Sequence, residues 1–192
     1  MQNPPPATPP RKTRADGERN RARLLEAAKH AFATRGAAAT FDQIARDAQV
    51  GIGTLYRHFP TRDALVEAVY RQETDDLVDH AERLRDHADP VTAVREWMLE
   101  FVGYMGAKRG MAEALSTLIG GPDALYSDSS ARIIPAFDSL VARAVDAGTI
   151  RMVIEPIDLL RALGGVANLS PDDNWKRSAT QMVDVLLAGL RT

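Results

Sequence analysis

The amino-acid sequence predicts an all-α fold, with a small N-terminal helical domain followed by a larger C-terminal helical domain. Apolar residues recur every three or four positions along most of the chain, as they do on the buried face of a helix. Glycine or proline ends several of these runs. Near the N-terminus, two short runs are separated by only a few residues, which predicts two helices joined by a tight turn. We place the domains at residues 19–65 and 66–192.

The composition is that of a soluble globular protein. Of the 192 residues, 45% are hydrophobic and 26% are charged, which is ordinary for one or two packed domains. The chain contains no cysteine, so disulfides, thiolate metal sites and cysteine nucleophiles are excluded. The first twenty residues lack the apolar run of a signal peptide, and no later stretch approaches the roughly 20 apolar residues that cross a bilayer. We therefore expect a cytoplasmic protein.

Charge is distributed unevenly along the chain. Residues 1–62 hold 11 Lys or Arg and 5 Asp or Glu, a net charge of +6, whereas the rest hold 13 and 21, a net charge of −8. A basic front third is typical of a segment that meets a polyanion, and the acidic remainder keeps the molecule soluble. The alternative is that the charges are uneven by chance.

Residues 1–18 are predicted to form a disordered basic arm, because they are rich in proline and show no apolar periodicity. The basic cluster of this arm is Arg11, Lys12 and Arg14. The first helix is predicted from Arg19 to Arg35. Its apolar face is formed by Leu24, Leu25, Ala28, Ala31 and Phe32. Gly36 follows as the expected C-terminal cap.

The second and third helices are short. The second begins after Thr40, which forms a capping-box pattern with Gln43. After a turn that contains Gly51, the third helix carries Leu55 and Phe59 on its inner face and stops before a proline. Two short helices joined by a tight glycine-bearing turn, behind a longer helix, form the helix-turn-helix pattern.

The third helix has the size and the polar groups to enter the major groove of DNA. With its apolar side turned inward, it leaves five residues for the outside or the rim: Ile52, Thr54, Tyr56, Arg57 and His58. Thr54 and Tyr56 supply hydroxyl groups, Arg57 and His58 can meet phosphate or base acceptors, and Gly53 permits close backbone approach. The alternative makes Tyr56 a core residue and His58 only a favourable cation at a helix C-terminus.

The segment TFDQIARDAQVGIGTLYRHFPTRDALVEAVYR, residues 40–71, resembles the DNA-binding domain of the TetR family of transcriptional regulators. The likeness runs over roughly residues 20–71. Its most specific part is the family's Leu-Tyr-x-His-Phe core, present as Leu55, Tyr56, His58 and Phe59. The resemblance implies an all-helical homodimeric repressor, bound to a palindromic operator and released when a small effector binds the C-terminal domain.

The resemblance also implies particular DNA contacts. Thr40 and Arg62 would contact phosphates, and the third helix would contact DNA through Thr54, Tyr56 and His58. One departure concerns Gly51 and Ile52, where many family members have Ser and Lys. A polar contact and a positive charge are therefore missing. Ile52 would instead touch a thymine methyl group. The basic arm would reach a minor groove or phosphates, or remain a solvated tail.

Five further helices are predicted beyond the third, at about residues 61–87, from residue 90, and at about residues 129–147, 156–168 and 173–190. The last two carry wide apolar stripes, and the resemblance makes this pair the dimer interface, a four-helix bundle across a two-fold axis. The interface residues we predict are Leu160, Leu163, Gly164, Ala167, Ala179, Met182, Val183 and Leu186. The alternative is that these stripes only close each subunit's own core.

An apolar cavity between the C-terminal helices would hold the effector. Our candidates for its lining are the Met, Leu and aromatic residues Trp97, Phe101, Tyr104, Met105, Met111, Leu115, Leu118 and Phe137. At helical spacing such residues are more often core than cavity. If they line a cavity, the effector is small and largely apolar, and its identity does not follow from the sequence.

An enzyme is the first alternative class, and we predict none, with neither a cofactor nor a metal. Asp76 and His80 stand at metal-ligand spacing, but on an acidic helix face that is typical of solvated side chains. The Gly-x-Gly at residues 51–53 follows a helix and lacks a third glycine, and no serine has a nucleophile-elbow context. The second alternative is a helical protein-interaction module, which steep salt dependence of DNA binding would rule out.

Overall fold

A computed structural model describes residues 14–169 and 174–192, and most of these residues are helical. The helices are α1 (Arg14–Arg35), α2 (Phe41–Asp47), α3 (Ile52–His58), α4 (Arg62–Leu84), α5 (Pro90–Gly110), α6 (Ala112–Ser116), α7 (Asp123–Asp146), α8 (Pro156–Leu169) and α9 (Trp175–Leu190). A 3₁₀ turn at Gly36–Ala38 follows α1. Within the described residues, β-structure is limited to a bridge between Ile150 and Arg191. The predicted all-α fold is confirmed.

Two helices begin earlier than the sequence predicts. The first starts at Arg14, so residues 14–18 belong to α1 and not to a disordered arm. Asp16 in the first turn complements the positive end of the helix dipole and pairs with Arg19, which stabilises a turn without large apolar residues. Arg11 and Lys12 lie outside the described residues.

Helix α7 starts at Asp123, about six residues before the predicted start. Polar residues follow Tyr126, so this part of the helix lacks the apolar periodicity from which helices were predicted. Ser129 is nevertheless buried, and its hydroxyl lies 3.0 Å from the hydroxyl of Thr74 on α4. A buried serine with a satisfied hydroxyl can therefore occupy a core position that periodicity reserves for apolar residues.

Helices α1 to α3 pack into the predicted helix-turn-helix, which we call the N-terminal domain. Its core consists of Leu24, Leu25, Ala28, Phe32, Ile44, Ala45, Leu55 and Phe59, all buried. The hydroxyl of Thr40 accepts a hydrogen bond from the backbone N–H of Gln43, as predicted. The Gln43 side chain does not return this bond, since it contacts Asp47 and Arg46 instead. Only half of the capping box is formed.

The turn between α2 and α3 depends on Gln49 and not on glycine. Gln49 has a φ of +53°, in the left-handed region that non-glycine residues rarely adopt. Gly51 has a φ of −64° and simply caps α3 with extended backbone. The turn closes through a 2.9 Å hydrogen bond from the Val50 N–H to the Ala45 carbonyl. The turn contains a glycine, as predicted, but the left-handed residue that shapes it is Gln49.

Helices α4 to α9 form the C-terminal domain, and α4 runs without a break through the predicted boundary between residues 65 and 66. Trp97 on α5 lies at the centre of this domain. Its ring stacks on Phe137 of α7 at a centroid distance of 4.8 Å, and its indole N–H donates to the Leu77 carbonyl of α4 at 3.0 Å. These contacts hold α4, α5 and α7 together, while α8 and α9 pack against them.

The two domains are joined along α1. Lys29 on α1 forms a 2.8 Å ion pair with Glu73 on α4. Further along, Gly110 of α5 lies so close to α1 that an added Cβ would be 3.0 Å from the Cβ of Ala33. The N-terminal domain is thus attached to both α4 and α5 of the C-terminal domain. No helix in the described part of the chain is long and apolar enough to span a membrane.

Candidate nucleic-acid interface and effector cavity

The outer face of α3 is left uncovered by the rest of the described chain. Tyr56 is 53% exposed and Ile52 is 38% exposed, although both are large and partly or wholly apolar. The Tyr56 ring lies 5.2 Å from the ring of Phe41 on α2, which orients it without burying it. Tyr56 is therefore a surface residue and not the core residue of the alternative interpretation.

Polar groups on α3 are held in place by the helix itself. The Arg57 guanidinium donates to the Gly53 carbonyl at 3.1 Å and to the Thr54 hydroxyl at 2.8 Å. Thr54 and His58 are half-buried, while Arg57 is exposed. The Arg57 and Thr54 side chains therefore lie together on one accessible face, where they can contact a neighbouring molecule.

Neither glycine of the Gly51-Ile52-Gly53 segment is needed for packing inside the protein. A Cβ atom added at Gly51 or Gly53 would meet nothing within 4 Å. Both positions therefore have open space on the outer side of α3, at its N-terminal end. Within residues 14–169 and 174–192 no other segment comes near Gly53, so the close approach that we expect there stays a prediction about an outside partner.

Thr40 and Arg62 differ in how far they can serve as phosphate contacts. Thr40 is exposed at the start of α2, where its hydroxyl already accepts from Gln43. Arg62 is turned inward. Its guanidinium donates to the carbonyls of Gly36, Ala37 and Ala39 at 2.5–3.2 Å. It also lies 5.2 Å over the Phe32 ring. We therefore replace the predicted phosphate contact of Arg62 with a structural role.

Two basic residues beside the helix-turn-helix escaped the sequence analysis. Arg21 on α1 places its guanidinium 5.6 Å over the ring of Phe59, at the end of α3. Arg23 donates to the carbonyl of Gln49 at 3.2 Å, which supports the left-handed turn. The excess of basic residues in the first 62 positions predicted positive charge in this region. It did not predict which of these side chains contact other residues of the N-terminal domain.

A cavity of about 190 Å³ lies in the C-terminal domain between α4, α5, α7 and α8. It is lined by Tyr70, Phe101, Tyr104, Met105, Lys108, Tyr126, Ser130, Ile133, Ile134, Ile157, Leu160, Arg161 and Gly164. Three of our predicted lining residues are among them, Phe101, Tyr104 and Met105. Periodicity missed Tyr70 and Lys108, because a polar tip on a mostly apolar helix does not mark a cavity.

The other five predicted lining residues belong to the solid core or lie away from this cavity. They are Trp97, Met111, Leu115, Leu118 and Phe137, all buried. Trp97 and Phe137 fill the centre of the domain by stacking on each other. Their spacing predicted an inward-facing stripe correctly. It did not distinguish a filled interior from an empty one.

The polar groups of the cavity lie in mostly apolar surroundings. The hydroxyls of Tyr70 and Tyr104 lie 2.6 Å apart, and burial raises the pKa of Tyr70 above its ordinary value. The Lys108 Nζ lies 3.7 Å from the centre of the Tyr126 ring. Burial lowers the pKa of Lys108 and raises the pKa of Tyr126, because both charged forms lose water there.

The predicted dimer residues on α8 and α9 mostly face inward. Leu160, Leu163, Ala167, Ala179 and Val183 are buried within the protomer, and Leu160 and Gly164 line the cavity. Gly164, Met182 and Leu186 are half-buried. The buried members are not available to a partner, so this part of the interface prediction is wrong. Each stripe packs on α5 or on the other helix of the pair.

The opposite sides of α8 and α9 carry a second set of small and apolar residues, which we call the outer face. Its members are Ala162, Gly165, Val166, Leu169, Val185, Ala188 and Gly189. Leu169 is 85% exposed and Val185 is 64% exposed. Helical spacing places Ala162, Val166 and Leu169 on one side of α8. The sequence analysis did not identify this side, because the inner apolar stripe of the helix is longer.

A three-helix domain with an exposed third helix, joined to a larger helical domain with a cavity, is the architecture of a helix-turn-helix DNA-binding protein. Comparison with known proteins places it more narrowly. Residues 24–69 match the model of bacterial regulatory proteins of the tetR family, and residues 89–192 match the C-terminal domain of SbtR-like transcriptional regulators. The chain belongs to the TetR family of transcriptional regulators.

Solved structures of family members extend over nearly the whole chain. The TetR transcriptional regulator SCO0520 from Streptomyces coelicolor is 40% identical, covers 89% of this chain and 98% of its own, and has a TM-score of 0.80. A TetR regulatory protein from Mycobacterium vanbaalenii is 35% identical, with 93% and 99% covered and a TM-score of 0.75.

A curated relative matches over a shorter range. The HTH-type transcriptional regulator TtgR from Pseudomonas putida is 36% identical over 93 residues. This range is 47% of the present chain and 44% of TtgR, so the match spans less than half the length of that relative.

Proposed function

We propose that the protein is a homodimeric transcriptional repressor that binds a palindromic DNA operator through α3 and is released by a small effector. The observation that carries this proposal is the uncovered outer face of α3. Large side chains at Ile52 and Tyr56 stand exposed there, next to two glycines with open space. This face is accessible to a partner, and α3 has the dimensions of a major-groove helix.

Each exposed group of α3 has a role in this proposal. Tyr56 and the Thr54 and Arg57 pair would contact phosphates or base edges, and His58 would contact DNA at the end of the helix. Ile52 would touch a thymine methyl group. Gly51 and Gly53 would let the DNA backbone approach closely. Thr40 would add a phosphate contact at the start of α2.

Arg62 supports this surface without touching DNA in our proposal. Its three hydrogen bonds to carbonyls between α1 and α2 fix the position of α2 relative to α4. Since α2 orients Tyr56 through Phe41, this arginine keeps α3 in place indirectly.

The proposed partner in DNA binding is a second copy of the chain, docked through the outer face of α8 and α9. The exposed Leu169 and Val185 would be covered there, and the small residues around them permit close helix packing. A two-fold axis would place two copies of α3 about 34 Å apart, one helical turn of DNA. Two half-sites bound together reach an affinity that neither reaches alone.

The proposed effector is a small, largely apolar molecule that binds in the cavity of the C-terminal domain. Tyr70 of α4 lines this cavity, and Arg62 and Glu73 on the same helix hold the N-terminal domain. A ligand that displaces Tyr70 would move α4 and with it the two copies of α3. Affinity for DNA falls if the ligand favours an arrangement with a different spacing. Acting on chromosomal DNA, the protein would work in the cytoplasm.

The test is binding to a palindromic duplex from the DNA upstream of the protein's own gene, measured by fluorescence anisotropy at two salt concentrations. We expect binding that survives competitor DNA and weakens steeply with salt, because phosphate contacts release counterions. A scrambled duplex of the same composition is the control. Equal affinity for both duplexes, across a set of palindromes from the neighbouring genes, would contradict specific recognition. Salt-insensitive binding would favour a protein partner instead.

A further inference from the structure

The cavity of the C-terminal domain is charged unevenly. Its lining contains two cations, Lys108 and Arg161, and within the described part of the chain it contains no Asp or Glu. Arg161 already forms a 2.8 Å ion pair with Asp158 on the same helix. Lys108 has no carboxylate within ion-pair distance among residues 14–169 and 174–192. The cavity therefore holds one cation whose charge is not balanced by a nearby anion of the described chain.

Lys108 is held by an aromatic ring where an anion would otherwise be expected. Its Nζ lies 3.7 Å from the centre of the Tyr126 ring, a favourable position for a cation. An aromatic face compensates a half-buried ammonium only in part. Burial accordingly lowers the pKa of Lys108, and burial is the only cause of this shift. A bound anion beside the Nζ would complete the compensation that Tyr126 begins.

The remainder of the lining limits the size and the polarity of the ligand. Phe101, Met105, Ile133 and Ile157 present apolar surface. A volume of about 190 Å³ is slightly larger than the 150 Å³ of a cavity known to bind benzene. One aromatic ring, or an aliphatic chain of similar volume, therefore fits this space.

We propose that the effector of this protein is a small apolar acid, with one ring or a short chain, whose carboxylate is bound by Lys108 against the Tyr126 ring. The inference deepens the effector role proposed above and rests on it. Apolar burial supplies the affinity of the ligand body, and Lys108 selects for the negative charge. Tyr70 and Tyr104, whose hydroxyls face each other, lie in the same lining and add hydrogen-bonding groups.

Selection for charge can be separated from binding of an apolar ring. We would titrate the purified full-length protein with benzoate and with benzamide by calorimetry, since the two share a ring and differ in charge. In the wild type, benzoate should bind at least about 10-fold more tightly, the usual advantage of a charge-assisted hydrogen bond. Lys108→Met should reduce this preference to about 2-fold or less while benzamide still binds.

Lys176→Met is the matched control. Lys176 is also a lysine beside a crevice, but it lies at the start of α9, in the crevice between α1 and α5 and outside this cavity. The benzoate preference should survive this change. Equal affinity of the wild type for benzoate and benzamide would overturn the inference, as would an unchanged preference in Lys108→Met.

A second variant locates the binding site. Gly164 lines the cavity, and a Cβ at this position would lie 3.9 Å from the Met105 Cε. Gly164→Leu should therefore fill the space and abolish binding of both compounds. Unchanged benzoate binding in this variant would place the acid elsewhere and overturn the inference.

Absence of binding by benzoate, 4-methylbenzoate and hexanoate would also overturn the inference, because these acids span the volume that the cavity allows. All of these titrations are made without DNA. A protein that selects acids but binds no operator would overturn the proposed repressor function and leave the charge selectivity standing. A protein that binds its operator but shows no charge selectivity would overturn this inference and leave the proposed repressor function standing.

Discussion

The N-terminal and C-terminal domains both bury a continuous apolar core, but they leave their polar groups in different places. The N-terminal domain presents Tyr56, Arg57 and Thr54 on the outside of a seven-residue helix. The C-terminal domain places the buried Tyr70 and the half-buried Lys108 at a cavity between four helices. In a short helix, the two inward residues already determine which face is exposed. A cavity, by contrast, exists only where several helices leave space between them.

The largest expected effect tests whether Trp97 belongs to the core or to the cavity. Trp97→Ala should lower the free energy of unfolding by about 3–5 kcal/mol, because the stacked ring and the bond to the Leu77 carbonyl are both lost. Phe101→Ala, at a cavity-lining neighbour, should cost about 1 kcal/mol less, since part of its surface already lacks packing partners. Urea denaturation measures the free energy of unfolding of both variants. Equal losses would contradict the assignment of Trp97 to the core and Phe101 to the cavity lining.

The second prediction concerns the outer face of α8 and α9. Val185→Glu should raise the dimer dissociation constant by about 100-fold or more, because two carboxylates would be buried without partners. Sedimentation velocity reports the change. Val153→Glu is the matched control, since Val153 is also exposed but lies before α8 and off the outer face. A dimer that withstands Val185→Glu would place the interface on another surface.

The third prediction tests the exposed face of α3. Tyr56→Ala should weaken operator binding by about 30-fold or more, since a contact worth about 1–3 kcal/mol is lost in each half-site. The stability should change by less than about 0.5 kcal/mol, because the side chain is mostly exposed. Val145→Ala, an exposed apolar residue on α7, serves as the control that leaves DNA binding intact. An unchanged operator affinity would contradict the assignment of α3.

The fourth prediction separates a structural arginine from a phosphate contact. Arg62→Met should lower the free energy of unfolding by about 1–2 kcal/mol, since three carbonyls lose their donor. Arg57→Met, on the exposed face of α3, should leave stability nearly unchanged and weaken DNA binding. If Arg62→Met instead kept full stability and reduced the salt dependence of binding by one contact, Arg62 would be a phosphate ligand after all.

The smallest effect concerns the turn before α3. Gln49→Gly should stabilise the protein by about 0.5 kcal/mol, because relief of the left-handed conformation slightly exceeds the added entropy of the unfolded chain. Gly51→Ala should be close to neutral, since its φ is ordinary and the added Cβ meets nothing, while alanine is a poorer N-cap than glycine. Thermal melting of the two variants checks the pair. A loss of stability on Gln49→Gly would show that the glutamine side chain contributes more than the strain costs.

The sequence predicted more about the N-terminal domain than about the C-terminal one. The helix-turn-helix, the cap at Thr40 and the exposure of Tyr56 follow from local signals within about 20 residues. In the C-terminal domain the same reasoning found the inward stripes, but it chose Trp97 and Phe137 for the cavity and Leu163 and Val183 for the interface. Each of these residues is core.

Sequence by itself determined the helical fold, the order of the described helices other than the short α6, and the main face that each of them buries, because apolar periodicity is a property of one segment at a time. Tertiary structure alone decided the inward turn of Arg62, the empty space beside Lys108 and the outer face of α8 and α9. These depend on the distances between helices that are far apart in the chain. Periodicity states that a side chain points inward, and only packing decides whether it meets another side chain or a cavity.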